Sequence, residues 1–385
     1  MRYYLIAGEA SGDLHGSNLM KGLIAEDPAA EFRFFGGDMM AAVGGTPVRH
    51  YKSTAVMGLV EVISRLGAIR QNMAECRRDL LEYGPDVLIL IDYPGFNLKM
   101  ACFAHKHGIP VYYYIAPKLW ARGERRIRKI RRYVDELFTI FPFEKEYFRK
   151  LGVEVHYEGN PLIESIEDYK SIHPERQKFI DRHSLDDSPS IALLAGSRKA
   201  EISFLLPRMV AFEKLLRQNQ LLSGYQLLLA AAPSVDMQLY RSLIPTDSSI
   251  RIVSDDTYGV LSHSEAAIIS SGTASLEAAL IGTPQVVCYG FNRITYLIAR
   301  LLVRVKYISL ANLILDKFIF KEFVQDEASP KMIFDEVSRL LTDKEYRSTM
   351  KSDYTALREV LGGSGASCKI ARKMIGLLKE NNVNK

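Results

Sequence analysis

The chain is poor in cysteine and has a single tryptophan: 4 Cys and 1 Trp in 385 residues. Cys76, Cys102, Cys288 and Cys368 are scattered and form no CxxC pair. That excludes a disulfide framework and a cysteine zinc site, and it fits inert thiols in a reducing compartment. No run approaches the ~20 apolar residues that span a bilayer. The opening "RYYLIAG" reads as a strand, and its apolar run is too short for a signal peptide. The common nucleotide motifs are missing as well. Gly8, Gly12 and Gly16 are spaced unlike GxGxxG, and no P-loop GKS or GKT occurs. His105 and His107 do not share a helix face, and no metal is expected. A net charge of +5 is too mild to imply nucleic acid.

What is present is an ordinary globular composition, long enough for two domains. The runs "YYLIAG", "FRFFGG", "DVLILID", "VYYYIA" and "ELFTIF" predict buried strands. Leu14–Ala25, Leu66–Tyr83 and Leu98–His107 have helical spacing. A polar stretch from about Asn160 to Ser190, with a short helix inside it, predicts a domain boundary. A second series follows: "SIALLAG", "YQLLLAAA", "IRIVS", "AAIISSG" and "PQVVCYG". Helices are expected from about Met332 onward. The alternation predicts two α/β, Rossmann-like domains with parallel sheets, 1–165 and 166–345. Residues 346–385 are expected to form C-terminal helices that pack back on the first domain. Two such domains facing each other across a cleft would each hold one reactant at their strand ends.

The strand ends carry the candidate chemistry. "IAGEASGDLHGS" puts Glu9 and Asp13 in a loop where a phosphate site should lack negative charge. Carboxylates there suit sugar hydroxyls or a proton, although Ser11 or Asp13 would equally cap the next helix. In "LILIDYPGFN", Asp92 ends an apolar strand, where desolvation raises a carboxyl toward a general base's range. A cap on the turn before Asn97 is the other reading of Asp92. In "LLAGSRKAEI", Gly196, Ser197, Arg198 and Lys199 lead from a strand into a helix and suit a diphosphate. In "SSGTASLEAAL", Ser271, Gly272 and Thr273 repeat that arrangement, with Glu277 placed for ribose hydroxyls.

Two surface features stand apart. "RGERRIRKIRRY" carries Arg122, Arg125, Arg126 and Arg128 in a dense basic run ending at Arg132, interleaved with Ile127 and Ile130. It suits an anionic surface, or is a solvated helix face. Upstream, Ser53–Ile69 is unusually apolar, with Met57, Leu59 and Val60, and suits lipid chains or a core.

Together "AGEASGDLHGS", "AVMGLVEV", "IDYPGFN", "FPFEKEYF", "GSRKAEI", "SSGTASLEAAL", "YISLANLI" and "EFVQDEASP" resemble the lipid-A-disaccharide synthase family, in order, over nearly the whole chain. The resemblance implies an inverting, metal-independent glycosyltransferase of glycosyltransferase-B fold, without a cofactor. It would join UDP-2,3-diacylglucosamine to 2,3-diacylglucosamine 1-phosphate at the inner face of a Gram-negative inner membrane. It implies an acceptor-binding first domain, a UDP-sugar-binding second domain and roles for Asn312 and Gln325 in the later motifs. Asp92 is expected to be the base, then Asp13 with Glu9 beside it. The partners implied are the two acylated sugars and the anionic membrane surface, not nucleic acid, and the reading is compatible with a homodimer. Where relatives often carry "SPSVWAW", this chain has "APKLWAR", with Trp120 and Arg122. The rival readings are a UDP-N-acetylhexosamine 2-epimerase of the same architecture and a nucleic-acid or anionic-surface binder using the basic run.

Overall fold

Long apolar strands need cover on both faces, and the two series of them build two parallel sheets flanked by helices. The computed structural model describes residues 1–53, 66–120, 123–173, 175–233, 235–270, 272–290 and 306–383. It divides into two units: Met1–Glu164 with Leu361–Lys385, and Ser165–Val360.

In the first unit the strands are β1 (Arg2–Ala7), β2 (Glu31–Gly36), β3 (Thr46–His50), β4 (Val87–Ile91), β5 (Val111–Tyr114), β6 (Glu136–Thr139) and β7 (His156–Tyr157). Their order is β3-β2-β1-β4-β5-β6-β7. In the second unit they are β8 (Ser190–Leu194), β9 (Gln226–Ala231), β10 (Arg251–Ser254), β11 (Ala266–Ser270), β12 (Gln285–Tyr289) and β13 (Glu322–Val324), in the order β10-β9-β8-β11-β12-β13. All pairings are parallel. Each order reverses at a central pair, β1 with β4 and β8 with β11. Connections leave toward opposite faces there, which opens a crevice at the strands' carboxyl ends.

The apolar runs all become strands. β3, β7 and β13 are additional; "TPVRH", "HY" and "EFV" are too short or too polar to signal themselves. The polar boundary stretch holds two helices, Pro161–Ile172 and Arg176–His183. The chain ends in three helices, Pro330–Thr342, Lys344–Leu361 and Ala366–Val383. Residues 346–360 belong with the second unit, whereas the last helix packs on Ala10–Glu26, with Arg372 paired to Glu26 at 2.7 Å.

Candidate active site

The first unit's crevice is built on strained backbone. Asp92 (φ 44°) and Tyr93 (φ 47°) follow β4 in the left-handed region, and Ile115 (φ 61°) does the same after β5. Each such non-glycine residue costs roughly 1–3 kcal/mol and persists only where neighbours hold it. The buried Asn97 does so through Nδ2, which donates to the carbonyls of Asp92 at 2.8 Å and Ile91 at 3.2 Å. Tyr113 adds its hydroxyl to the Asp92 carbonyl at 2.6 Å. Gly8 at the end of β1 allows this arrangement, since a Cβ there would lie 2.3 Å from the Tyr93 ring. Burial lifts the Asp92 carboxyl above the ordinary carboxylate range; the Lys118 charge works against the rise.

Glu9 and Asp13 part company. The helix Ala10–Glu26 begins directly after Glu9, which is exposed at the N-cap position. Asp13 lies inside its first turn, 3% exposed, and does not cap it. Its Oδ1 accepts the N–H groups of Gly37 at 2.7 Å and Met40 at 3.1 Å, and its Oδ2 that of Met39 at 3.1 Å. The carboxylate thus caps a different helix, Asp38–Val43, and its lone pairs point at backbone.

Sequence reasoning passed over two groups here. His15, within the opening motif, is buried; desolvation first, then the Lys118 charge, lowers it to about 4, and its Nδ1 has no hydrogen-bond partner. A buried neutral imidazole could have been suspected from its place in that motif. Glu144, within "FPFEKEYF", is 1% exposed and pushed up to about 7 by burial. Nothing in its sequence context distinguishes it from the solvated Lys145 and Glu146 beside it. The Lys118 charge is felt by Asp92, His15 and Glu144 alike.

In the second unit the two expected anion loops lie at adjacent strand ends. After β8, Ser197, Arg198 and Lys199 are exposed at the start of the helix Lys199–Gln218. Glu201 from the helix's own first turn accepts the N–H groups of Ser197 at 2.9 Å and Arg198 at 3.3 Å. It also pairs with the Arg198 guanidinium at 3.6 Å. An incoming phosphate must therefore exchange with Glu201 or use the Arg198 and Lys199 side chains. After β11, Gly272 (φ 126°) precedes the helix Thr273–Ile281, with no side-chain cap and open space beside its Cα. Its first-turn N–H groups are oriented to meet an anion. Glu277 follows one turn later, accepting the Tyr258 hydroxyl at 3.1 Å; burial raises its carboxyl.

Asn312 and Gln325 differ. Asn312 is fully buried and spends its amide on the chain: Oδ1 takes the Ile319 N–H at 2.9 Å, and Nδ2 donates to Phe320 O and Glu322 Oε1. Gln325 stands at the carboxyl end of β13 with φ 57°, the same strained turn seen after β4.

The basic run forms a short turn, Glu124–Arg126, and a helix, Ile127–Tyr133. Ile127 and Ile130 are buried in the first unit's core, while Arg125, Arg126, Arg128, Lys129, Arg131 and Arg132 are exposed. None of these six pairs with a described acid. Met57, Leu59, Val60, Arg122 and Ser271 lie outside the described residues. Among the described residues no helix is long and apolar enough to cross a membrane, and no cluster of metal-ligating side chains occurs.

Residues 3–372 match the family model described as lipid-A-disaccharide synthetase. The chain is similar to the lipid-A-disaccharide synthase of Trichlorobacter lovleyi, with 37% identity over 99% of this chain and 98% of that one. It is 36% identical to that of Myxococcus xanthus, covering 99% of each. Among solved structures, the UDP-GlcNAc 2-epimerase of Neisseria meningitidis bound to UDP-GlcNAc aligns with TM-score 0.66 at 12% identity, over 98% of this chain and 100% of that one. The calicheamicin glycosyltransferase CalG4 aligns with TM-score 0.59 at 14% identity, over 99% of each. At these identities the structural likeness concerns the fold, two parallel-sheet α/β units of glycosyltransferase-B type.

Proposed function

The chain belongs to the lipid-A-disaccharide synthase family, and from that premise we propose that Asp92 is the general base of its transfer reaction. The enzyme is a hexosyltransferase that joins UDP-2,3-diacylglucosamine to 2,3-diacylglucosamine 1-phosphate, giving the lipid A disaccharide 1-phosphate and UDP. The first unit takes the acceptor and the second takes the UDP-sugar. In one displacement the acceptor's 6-hydroxyl oxygen attacks the donor's anomeric carbon. Asp92 takes the hydroxyl proton, the anomeric carbon–oxygen bond to the diphosphate breaks, and UDP leaves with the electron pair. Configuration at that carbon inverts.

The observation that carries this reading is Asp92 itself. It is a desolvated carboxyl on strained backbone at the topological switch point, where a raised proton affinity suits a base. Asp13, with its lone pairs engaged by Gly37, Met39 and Met40, serves the architecture of the same crevice. Glu9, exposed at the start of the helix Ala10–Glu26, is placed to meet acceptor hydroxyls.

In the second unit Arg198, Lys199 and the N-terminus of Thr273–Ile281 stabilise the departing diphosphate by oriented positive charge, without a metal. Ser197 and Ser271 add hydroxyls, Glu277 takes the ribose, and Gln325 lines the same strand ends. Asn312 acts indirectly, by tying Ile319–Glu322 in place. The six exposed cations from Arg125 to Arg132 dock on an anionic bilayer from which both acylated substrates are drawn.

The test is direct. Purified protein is incubated with both acylated sugars and the product is read by mass spectrometry. The disaccharide should form, and Asp92→Asn should slow its formation by roughly 10²-fold or more; an Asp92→Asn protein with wild-type turnover would remove Asp92 from the chemistry.

A further inference from the structure

Glu144 is a buried acid for which the transfer reaction has so far no use. It sits in the first turn of the helix Pro142–Lys150, after β6. One oxygen, Oε2, accepts the N–H of Phe141 at 3.2 Å, an ordinary first-turn bond. The other, Oε1, accepts the Trp120 indole N–H at 3.0 Å, from the segment that follows β5. The Trp120 ring meets Phe143 edge-on at 5.3 Å, and Phe143 stacks on Phe141 at 5.7 Å. The segment so anchored begins at the strained Ile115 and carries Lys118, whose charge reaches Asp92.

We infer that Glu144 is a positioning residue for the transfer reaction: through the Trp120 indole it holds the Ile115–Trp120 segment, and with it the Lys118 ammonium, beside Asp92. The inference rests on the assignment of Asp92 as base. A segment that leaves its strand on left-handed backbone needs an anchor at its far end, and the Glu144–Trp120 bond is that anchor. Lys118 favours the ionised, hydrogen-bond-accepting form of Asp92, so its distance sets how readily Asp92 gives up its proton. An ionised Glu144 grips the indole with a charge-assisted bond, and protonation weakens the grip.

Burial pushes Glu144 up to about 7, so that change falls in the physiological range. The groups that face it are the Trp120 indole N–H, the Phe141 and Ile140 backbone N–H groups, the Lys118 ammonium and the Tyr157 phenol from β7. The donors and the ammonium favour the anion, and burial opposes it.

Trp120 is the single tryptophan of the chain, so its fluorescence reports this bond alone. The wild-type emission should titrate with a midpoint near 7. Glu144→Gln keeps an acceptor for the indole but cannot ionise, so its emission should stay flat across that range. Turnover should fall about tenfold in Glu144→Ala, the effect of one lost charge-assisted bond. It should recover in part in Glu144→Gln, which keeps a neutral acceptor for the indole, with UDP affinity unchanged in both. If Glu144→Ala fails to fold, Trp120→Phe removes the donor while keeping a ring, and the same loss of turnover is expected. A fluorescence titration that persists in Glu144→Gln, or undiminished turnover in Glu144→Ala or Trp120→Phe, would overturn the assignment. Failure of the wild-type protein to make disaccharide would strike the proposed reaction instead, and the fluorescence result would still decide whether Glu144 holds Trp120.

Discussion

The Asp13 carboxylate receives the backbone N–H of Gly37 at 2.7 Å, and so joins the helix after β1 to the start of the helix after β2. With Met39 and Met40 also donating to it, a residue placed as a candidate acid becomes a brace of the crevice wall.

Asp13→Ala should therefore lower stability by about 3 kcal/mol, since it strands buried donors. The urea midpoint should fall with the slope unchanged. Lost turnover at an unchanged midpoint would return Asp13 to the chemistry.

Asp92→Asn should cut turnover by roughly 10²- to 10⁴-fold, the range general bases contribute. Asn tolerates left-handed backbone, so the strained turn after β4 should survive. The pH dependence has a definite sign. A carboxyl whose folded pKa is raised binds its proton more tightly when folded, so its ionisation costs stability as pH rises above the unfolded value. Asp92→Asn should melt no lower than the wild type at pH above the raised pKa, and any advantage should vanish in acid. Wild-type turnover should rise with pH through that same raised value. A variant markedly less stable at neutral pH would mean that Asp92 is held as a paired anion.

UDP affinity should weaken by about 1.5–3 kcal/mol in Arg198→Ala, the worth of a charge-assisted phosphate contact. Tyr258→Phe removes only the neutral partner of Glu277 and should cost about 1 kcal/mol or less. Titration calorimetry with UDP measures both, and equal affinities in all three proteins would empty the second unit's crevice of its assigned ligand. Turnover should also survive EDTA; loss restored by Mg²⁺ would show that a metal carries the leaving group.

Binding to anionic vesicles should weaken with salt, because added ions shorten the screening length. Changing Arg125, Arg126 and Arg128 together to Glu should reduce it further, each lost cation being worth about 1 kcal/mol at a charged surface. Ile127 and Ile130 keep the helix seated, so thermal melts should not move. Activity on vesicle-borne substrate should fall more than on detergent-solubilised substrate. Equal losses would assign the run to the fold or the crevice.

Composition and periodicity determined the two parallel sheets, because strands buried on both faces must be apolar throughout, as "VLILI" and "SIALL" are. The ends of those runs also marked Asp92, Arg198 and Glu277, since function in such sheets gathers where strands stop. Only the tertiary structure could separate Asp13 from Asp92. Both are acids beside a strand end, and what differs is which backbone N–H groups, distant in sequence, lie within reach. The same holds for Asn312, whose partners are distributed along Ile319–Glu322, and for Glu201, whose rotamer puts it on the N–H groups of Ser197 and Arg198. Glu144 is the clearest case. Burial raises its proton affinity, whereas Lys145 and Glu146 beside it are exposed, and burial is a property of the fold, not of the residue.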